Sequence, residues 1–229
     1  MIEYLMGGLL KSPSSLFQAF STYNAAIWPV QIVAYLLAGM VIFFALKRIK
    51  HSDNFILLVL SCYWMWAGIV CLFGFLAPKF PIFYMLGVMA VFQGFLFLWM
   101  GFKTEKRLPL FAFKSDMYGI TGAVYILYAL VIYPLIGYFT GHAFFDYPVF
   151  GVAPCPVCIF TLGLLIITRR PFPLILLIVP LIEALLGIIP TLLGLYADIG
   201  LIAAGLLGFY LIMRKKRLSG DASPSVPNL

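Results

Sequence analysis

The stretch "AIWPVQIVAYLLAGMVIFFALKRIK" (residues 26–50) decides the fold, because a long apolar run ends there in a basic cluster. The run at 26–46 is as long as the roughly 20 apolar residues that a helix needs to cross the hydrocarbon core of a bilayer. The cluster KRIK at 47–50 is the kind of sequence that stays on the cytoplasmic side of a membrane. The stretch therefore predicts a transmembrane helix whose N-terminal end lies outside.

The same pattern recurs along the chain of 229 residues, which is 64% hydrophobic and 10% charged. A soluble domain is about 45–50% apolar and about 25% charged, so the surface of this chain calls for lipid rather than water. The composition and the apolar runs predict an all-α, polytopic helical membrane protein. About seven transmembrane helices are expected, at 26–46, 55–76, 82–101, 117–139, 154–168, 173–190 and 198–213. The fifth and seventh runs are the shortest, and whether they cross completely is left open.

The basic residues predict the orientation. With the N-terminus outside, the segments after spans one, three, five and seven face the cytoplasm, and they hold 13 of the 15 Lys and Arg residues. Basic residues concentrate in the cytoplasmic segments of membrane proteins. We therefore expect the N-terminus outside, the C-terminus inside and a location in the cytoplasmic membrane. The net charge of +7 is then explained by the basic residues of the cytoplasmic segments, and no nucleic-acid partner is expected.

Three regions are expected along the chain: an interfacial N-terminal segment at 1–24, a transmembrane bundle at 25–213, and a basic, disordered cytoplasmic tail at 214–229. The order of the spans also allows a parallel 3+1+3 repeat, an arrangement that some transporters use. The matching of "PVQI" (29–32) with "PVCI" (156–159) supports such a repeat. Apolar helices match by chance easily, so chance similarity is the alternative.

Three polar residues inside predicted spans are candidates for a functional site. Glu183 lies ten residues into span six, near the bilayer centre, where a carboxylate is costly and marks a functional site by default. Pro180 and Pro190 flank it, so this helix should be kinked and should expose backbone carbonyls. Gln93 in span three and Gln31 in span one are either site residues or hydrogen-bonding links between helices. For Glu183 the alternative is a protonated side chain bonded to one neighbouring helix.

The segment "GVAPCPVCIF" (151–160) places Cys155 and Cys158 at the predicted outer end of span five. A Cys-x-x-Cys pair at a helix N-terminus suits thiol–disulfide exchange, because the helix dipole favours the thiolate. With His142 the two thiols would supply three of the four ligands of a soft-metal site, which leaves the tetrahedron incomplete. The third interpretation is that both cysteines are small apolar residues at a helix start without any chemistry.

Five segments, "YNAAIWPVQ" (23–31), "FQGFLFLW" (92–99), "YPLIGYFTGH" (133–142), "PCPVCIFTLGLL" (154–165) and "DIGLIAAGLL" (198–207), occur in order across most of the chain. Together they resemble a prokaryotic domain-of-unknown-function family of multi-pass membrane proteins, some of which are labelled permeases. The resemblance implies a polytopic helical fold and no particular substrate. The family motif Pro-Cys-Pro-x-Thr-Ile-Phe-Thr has threonine where this chain has Cys158, so Cys155 is the family residue. A shorter resemblance links "PCPVCI" to the dithiol of the membrane disulfide-generating quinone reductases.

The expected function is therefore that of a small-solute permease or membrane binding protein with an outward-facing site. Its expected partners are the lipid bilayer and an unknown small solute, and no metal or other cofactor is expected. The candidate binding residues are Gln31, Gln93, His142, Cys155, Glu183 and Asp198. One alternative is a membrane thiol–disulfide oxidoreductase, in which Cys155 and Cys158 form the catalytic pair and a quinone is the cofactor. A second alternative is an accessory or structural membrane subunit.

Overall fold

The structure is a computed structural model that describes residues 13–103 and 110–221. The predictions for residues 1–12, 104–109 and 222–229 lie outside the described residues. The described parts contain turns and helices and no strand, which confirms the all-α class. We number the principal helices α1 (Pro13–Ala26), α2 (Val30–Lys47), α3 (Ser52–Leu76), α4 (Ile82–Gly101), α5 (Met117–Phe139), α6 (Pro154–Ile167), α7 (Ile175–Leu192) and α8 (Asp198–Asp221).

Helices α2 to α8 fall on the seven apolar runs of the sequence. Within the described residues, five of them are long and apolar enough to cross a membrane, namely α2, α3, α4, α5 and α7. The helix α6 is apolar but has only 14 residues, and α8 has 24 residues with a basic C-terminal part. Passage of all seven helices through a membrane, their orientation and the 3+1+3 repeat stay predictions.

The helix α6 occupies the centre of the bundle. All 14 of its residues are buried, and it packs against α3, α5, α7 and α8. The surrounding helices turn large apolar side chains outward, among them Leu36, Val88 and Ile120. An apolar exterior of this extent is unusual for a soluble protein and is compatible with a membrane protein. Because protein encloses α6 on every side, its length need not match the thickness of a hydrocarbon layer.

The backbone carbonyl that Pro180 leaves without a helical donor in α7 has a hydrogen-bond partner on α4. Pro180 lies inside α7 and has no backbone N–H, so the carbonyl of Leu176 loses its usual helical donor. The side-chain Nε2 of Gln93, which is fully buried, donates to that carbonyl oxygen at 3.0 Å. Gln93 therefore links α4 to α7, which is the second of the two roles expected for it from the sequence.

Two boundaries differ from the sequence-based expectation. The segment expected to be interfacial includes α1, whose Leu16, Phe20 and Tyr23 are buried in the bundle because they form one apolar face of that helix. The tail expected to be disordered begins as helix, since α8 continues to Asp221. Lys215 helps to hold this end, because its Nζ donates to the backbone carbonyls of Ile166 and Thr168 at the end of α6. Burial lowers the pKa of Lys215 to about 8.

An ion pair joins the start of α5 to the end of α6. Asp116 is the N-cap of α5: its Oδ1 accepts the backbone N–H of Gly119 at 2.8 Å. Its Oδ2 lies 2.6 Å from Nη1 of Arg169, which also donates through Nε to the carbonyl of Ala112. The hydrogen bond from Arg169 is the main cause that holds the pKa of Asp116 below its usual range. Arg169, counted among the cytoplasmic charges from the sequence, is thus also a structural residue.

Replacing Asp116 with alanine is expected to lower the free energy of unfolding by about 1–2 kcal/mol, because both the helix cap and the partner of Arg169 are lost. Asp116→Asn keeps a cap and should cost less. Since the pKa of Asp116 is lowered by folding, its contribution is present above the unfolded pKa of about 4 and is lost as the pH falls through the folded value. Unfolding in detergent at pH 7 checks the ranking, and equal stability of both variants and wild type would contradict it.

Candidate functional site

A cavity of about 80 Å³ lies between α1, α3, α4, α6 and α7. Nearly all of its wall is apolar, and the exceptions among its side chains are the thiol of Cys155 and the carboxyl group of Glu183. Two irregular backbone segments border it, namely the π-helical turns at Ala67–Leu76 of α3 and the end of α7 around Gly187. The lining residues are Leu16, Phe20, Leu72, Leu76, Ile82, Phe83, Met85, Leu86, Pro154, Cys155, Glu183, Leu186, Gly187, Ile189, Pro190 and Leu195.

Glu183 is the charged residue of this wall. It lies three residues after Pro180 on α7, and only 5% of its surface is exposed. Its Oε2 has no hydrogen-bond partner among the described residues. A buried polar atom without a partner costs free energy, so the carboxyl group is available for a proton or a ligand in the cavity.

Asp198 is a second buried carboxyl group, and it does not line the cavity. It is the first residue of α8 and is fully buried. Its Oδ1 accepts a hydrogen bond of 2.6 Å from the hydroxyl of Tyr133 on α5. Its other oxygen, Oδ2, has no hydrogen-bond partner among the described residues.

The peptide groups just before α8 are held by two further tyrosines. The hydroxyl of Tyr128 donates to the carbonyl of Ala197 at 2.8 Å, and the hydroxyl of Tyr147 accepts the backbone N–H of Ala197 at 3.2 Å. Burial raises the pKa of Tyr147 above its usual range, so its hydroxyl stays neutral at physiological pH. These contacts determine where Asp198 enters the bundle.

The two cysteines of the Cys-x-x-Cys motif have different surroundings. Cys155 lines the cavity, whereas Cys158 is fully buried and its Sγ lies 3.1 Å from the carbonyl oxygen of Pro180. All four cysteines of the chain are unbonded in this structure. Among the described residues, no group of three or more His, Cys, Asp or Glu side chains is arranged to hold a metal ion. The combination of Cys155 and Cys158 with His142, considered from the sequence, is therefore not assembled.

The other sequence-predicted residues lie apart from the cavity. Gln31 is buried and donates through Nε2 to the carbonyl of Asn24 at 2.8 Å. The ring of His142 stacks on Phe17 with 4.0 Å between centroids. Gln93 donates to the carbonyl of Leu176 in α7. The structure thus brings Cys155 and Glu183 together in one cavity wall, with Asp198 outside it. It gives the remaining three candidates contacts that hold helices and loops.

Tyr133 is the site residue that the sequence analysis did not single out. It begins the segment "YPLIGYFTGH" (133–142), but nothing in that segment marks it as the partner of a carboxyl group. Its contact with Asp198 depends on how α5 packs against α8. The available signal was general: a carboxyl group inside an apolar bundle needs a hydrogen-bond donor, and a tyrosine hydroxyl is a suitable one.

The fold and the cavity define the class: a helical bundle with several apolar helices long enough to cross a membrane and with a small apolar cavity that has one carboxyl group in its wall. The chain belongs to the family of unknown function DUF6064, which it matches over residues 14–223. No curated protein and no solved structure matches the chain significantly. The expectation of a domain-of-unknown-function family is confirmed.

Proposed function

We propose that this protein is an integral protein of the cytoplasmic membrane, with seven spans and an external N-terminus, that binds a small solute as a permease or membrane binding protein. The cavity beside Glu183 and Cys155 is the observation that carries the proposal. Its lining residues come from the ends of α3, α4, α6 and α7 that the charge pattern assigns to the outside. Ligand sites are typically concave and apolar with a few polar groups, which matches this wall.

Irregular backbone around the cavity supports the same assignment. Non-helical backbone at membrane depth is tolerated where it is buried in protein or lines a cavity. The π-helical end of α3 and the break in α7 at Gly187 are both cavity walls. Each segment therefore has one face against the cavity, where irregular backbone can shape a binding site.

Thiol labelling tests the position and the access of the cavity. We expect Cys155, as the single cysteine in a variant with Cys62, Cys71 and Cys158 changed to serine, to react with a small membrane-impermeant methanethiosulfonate in intact cells. The matched variant that keeps only Cys158 should react about tenfold more slowly, because that thiol is fully buried. Mass spectrometry of the purified protein measures both rates.

The outcomes separate the proposal from its competitors. Reaction of Cys155 only in inverted vesicles would overturn the outward orientation, and no reaction on either side would overturn an accessible cavity. The oxidoreductase alternative makes a different prediction: the wild-type protein taken from cells should resist alkylation at both Cys155 and Cys158 until it is reduced.

A further inference from the structure

The two buried carboxyl groups, Glu183 and Asp198, have no basic partner within the described part of the chain. Glu183 and Asp198 are 5% and 0% exposed, and neither forms an ion pair with a described Lys, Arg or His side chain. Each of the two carboxyl groups keeps one oxygen without a hydrogen bond. The hydrogen bond that reaches Asp198 comes from the neutral hydroxyl of Tyr133.

A buried carboxylate without a counter-charge is strongly unfavourable, so a proton or a cation has to compensate its negative charge. The two groups differ in access. Glu183 is part of the cavity wall, whereas Asp198 does not line the cavity. A cation that enters the cavity therefore meets Glu183 first.

The wall also indicates what kind of cation fits. Ions such as Ca²⁺ take six to eight oxygen ligands, and Glu183 is the one carboxylate in this wall. Most of the remaining lining consists of apolar side chains, among them Leu72, Leu86 and Ile189. An organic ammonium ion matches both parts, since its charged end pairs with the carboxylate and its alkyl body replaces water against the apolar wall.

We infer that the cavity binds a small primary alkylammonium ion, with the ammonium group on Glu183 and the alkyl chain against Leu72, Leu86 and Ile189. The inference deepens the proposed function, on which it rests, by naming the class of solute. The volume sets the size: a cavity of about 150 Å³ holds benzene, and this one is about 80 Å³. An alkyl body on the order of three carbons is therefore the best fit.

The test compares propylammonium with 1-propanol and butyrate, which carry the same propyl chain on a neutral and on an anionic group. Titration calorimetry on the detergent-purified full-length protein at pH 7.5 measures binding of each compound. We expect propylammonium to bind more tightly than either analogue. Glu183→Gln should weaken propylammonium binding by about tenfold or more, because a charge-assisted hydrogen bond is lost, and should leave 1-propanol unaffected.

Two further variants locate the site. Asp146→Asn removes a carboxylate from the loop before α6, outside the cavity lining, and should leave propylammonium binding unchanged. Leu86→Trp fills the cavity and should abolish binding of propylammonium and of 1-propanol alike. Glu183→Gln preserves the shape of the side chain and removes a buried charge, so it should fold at least as well as the wild type.

Three results would overturn the inference: no binding of propylammonium, equal binding of propylammonium and 1-propanol, or propylammonium binding that survives Glu183→Gln. In the second case, loss of both ligands in Leu86→Trp would still support a solute site in the cavity. The labelling of Cys155 is measured without any ligand. Failure of the inference is therefore distinguishable from failure of the proposed function.

Discussion

Replacing Gly122 with leucine is expected to lower the free energy of unfolding by about 3 kcal/mol, the upper end of the usual cost of overpacking. Gly122 on α5 faces Gly163 on α6, and a Cβ atom at position 122 would lie 2.7 Å from the backbone oxygen of Gly163. It would also contact the side chain of Ile167. A backbone atom cannot rotate away as a side chain can, so the two helices would have to separate.

The matched control is Gly39→Leu on α2. Gly39 is exposed, and no atom lies within 4 Å of a Cβ built there. Both substitutions add the same side chain to a helical glycine. The difference between their effects on the free energy of unfolding therefore measures the packing of α5 on α6. Unfolding in a fixed detergent measures both variants. Equal stability of the two would show that α5 and α6 do not approach each other as closely as the structure has them.

Replacing Gln93 with leucine is expected to destabilise the protein by about 2 kcal/mol. The amide donates to the carbonyl of Leu176, which Pro180 leaves without a helical donor. Its loss leaves a buried carbonyl unpaired, at a cost of about 1–3 kcal/mol. The cost arises from Pro180, because any other residue at that position would supply the missing N–H itself.

A double-mutant cycle with Pro180→Ala tests this origin. An alanine at position 180 donates its own N–H to the carbonyl of Leu176. In that background Gln93→Leu should cost at least about 1 kcal/mol less than it does alone. An equal cost in both backgrounds would show that Gln93 stabilises the bundle by some route other than the kink of α7. Reversible unfolding in mixed micelles provides the four free energies.

The helices were the most predictable part of this protein. In an apolar medium, the backbone groups of a run of about 20 apolar residues must form hydrogen bonds with one another, and an α-helix satisfies all of them. Hydropathy alone therefore predicts both the type and the approximate bounds of such an element. The exceptions are informative. The run at 154–168 differs from most of the others only in its short length, yet every residue of α6 is buried, unlike those of the other principal helices that the structure describes. Burial on all sides depends on which neighbours a helix has.

The candidate site was predicted in part. Glu183 was singled out because a carboxyl group inside an apolar run is unusual in itself. Cys155 was singled out for its Cys-x-x-Cys motif, and Asp198 for its place in a segment of the family resemblance. Gln31, Gln93 and His142 were singled out for similar reasons, and the structure gives them bonds to backbone or ring contacts instead. A sequence shows that a polar side chain needs a partner, but it does not show whether that partner is a carbonyl, a ring or a ligand.

The sequence by itself determined the all-helical class, the positions of the helices and the polar groups that an apolar bundle must accommodate. Those properties follow from residue type and from spacing along one chain. Only the tertiary structure decided that Tyr133 reaches Asp198, that Gln93 reaches Leu176, and that Glu183 is left unpaired at the wall of a cavity. Each of those outcomes joins residues from different helices. They depend on which helix faces pack together, and the sequence pattern of a single helix does not show which other helix its face contacts.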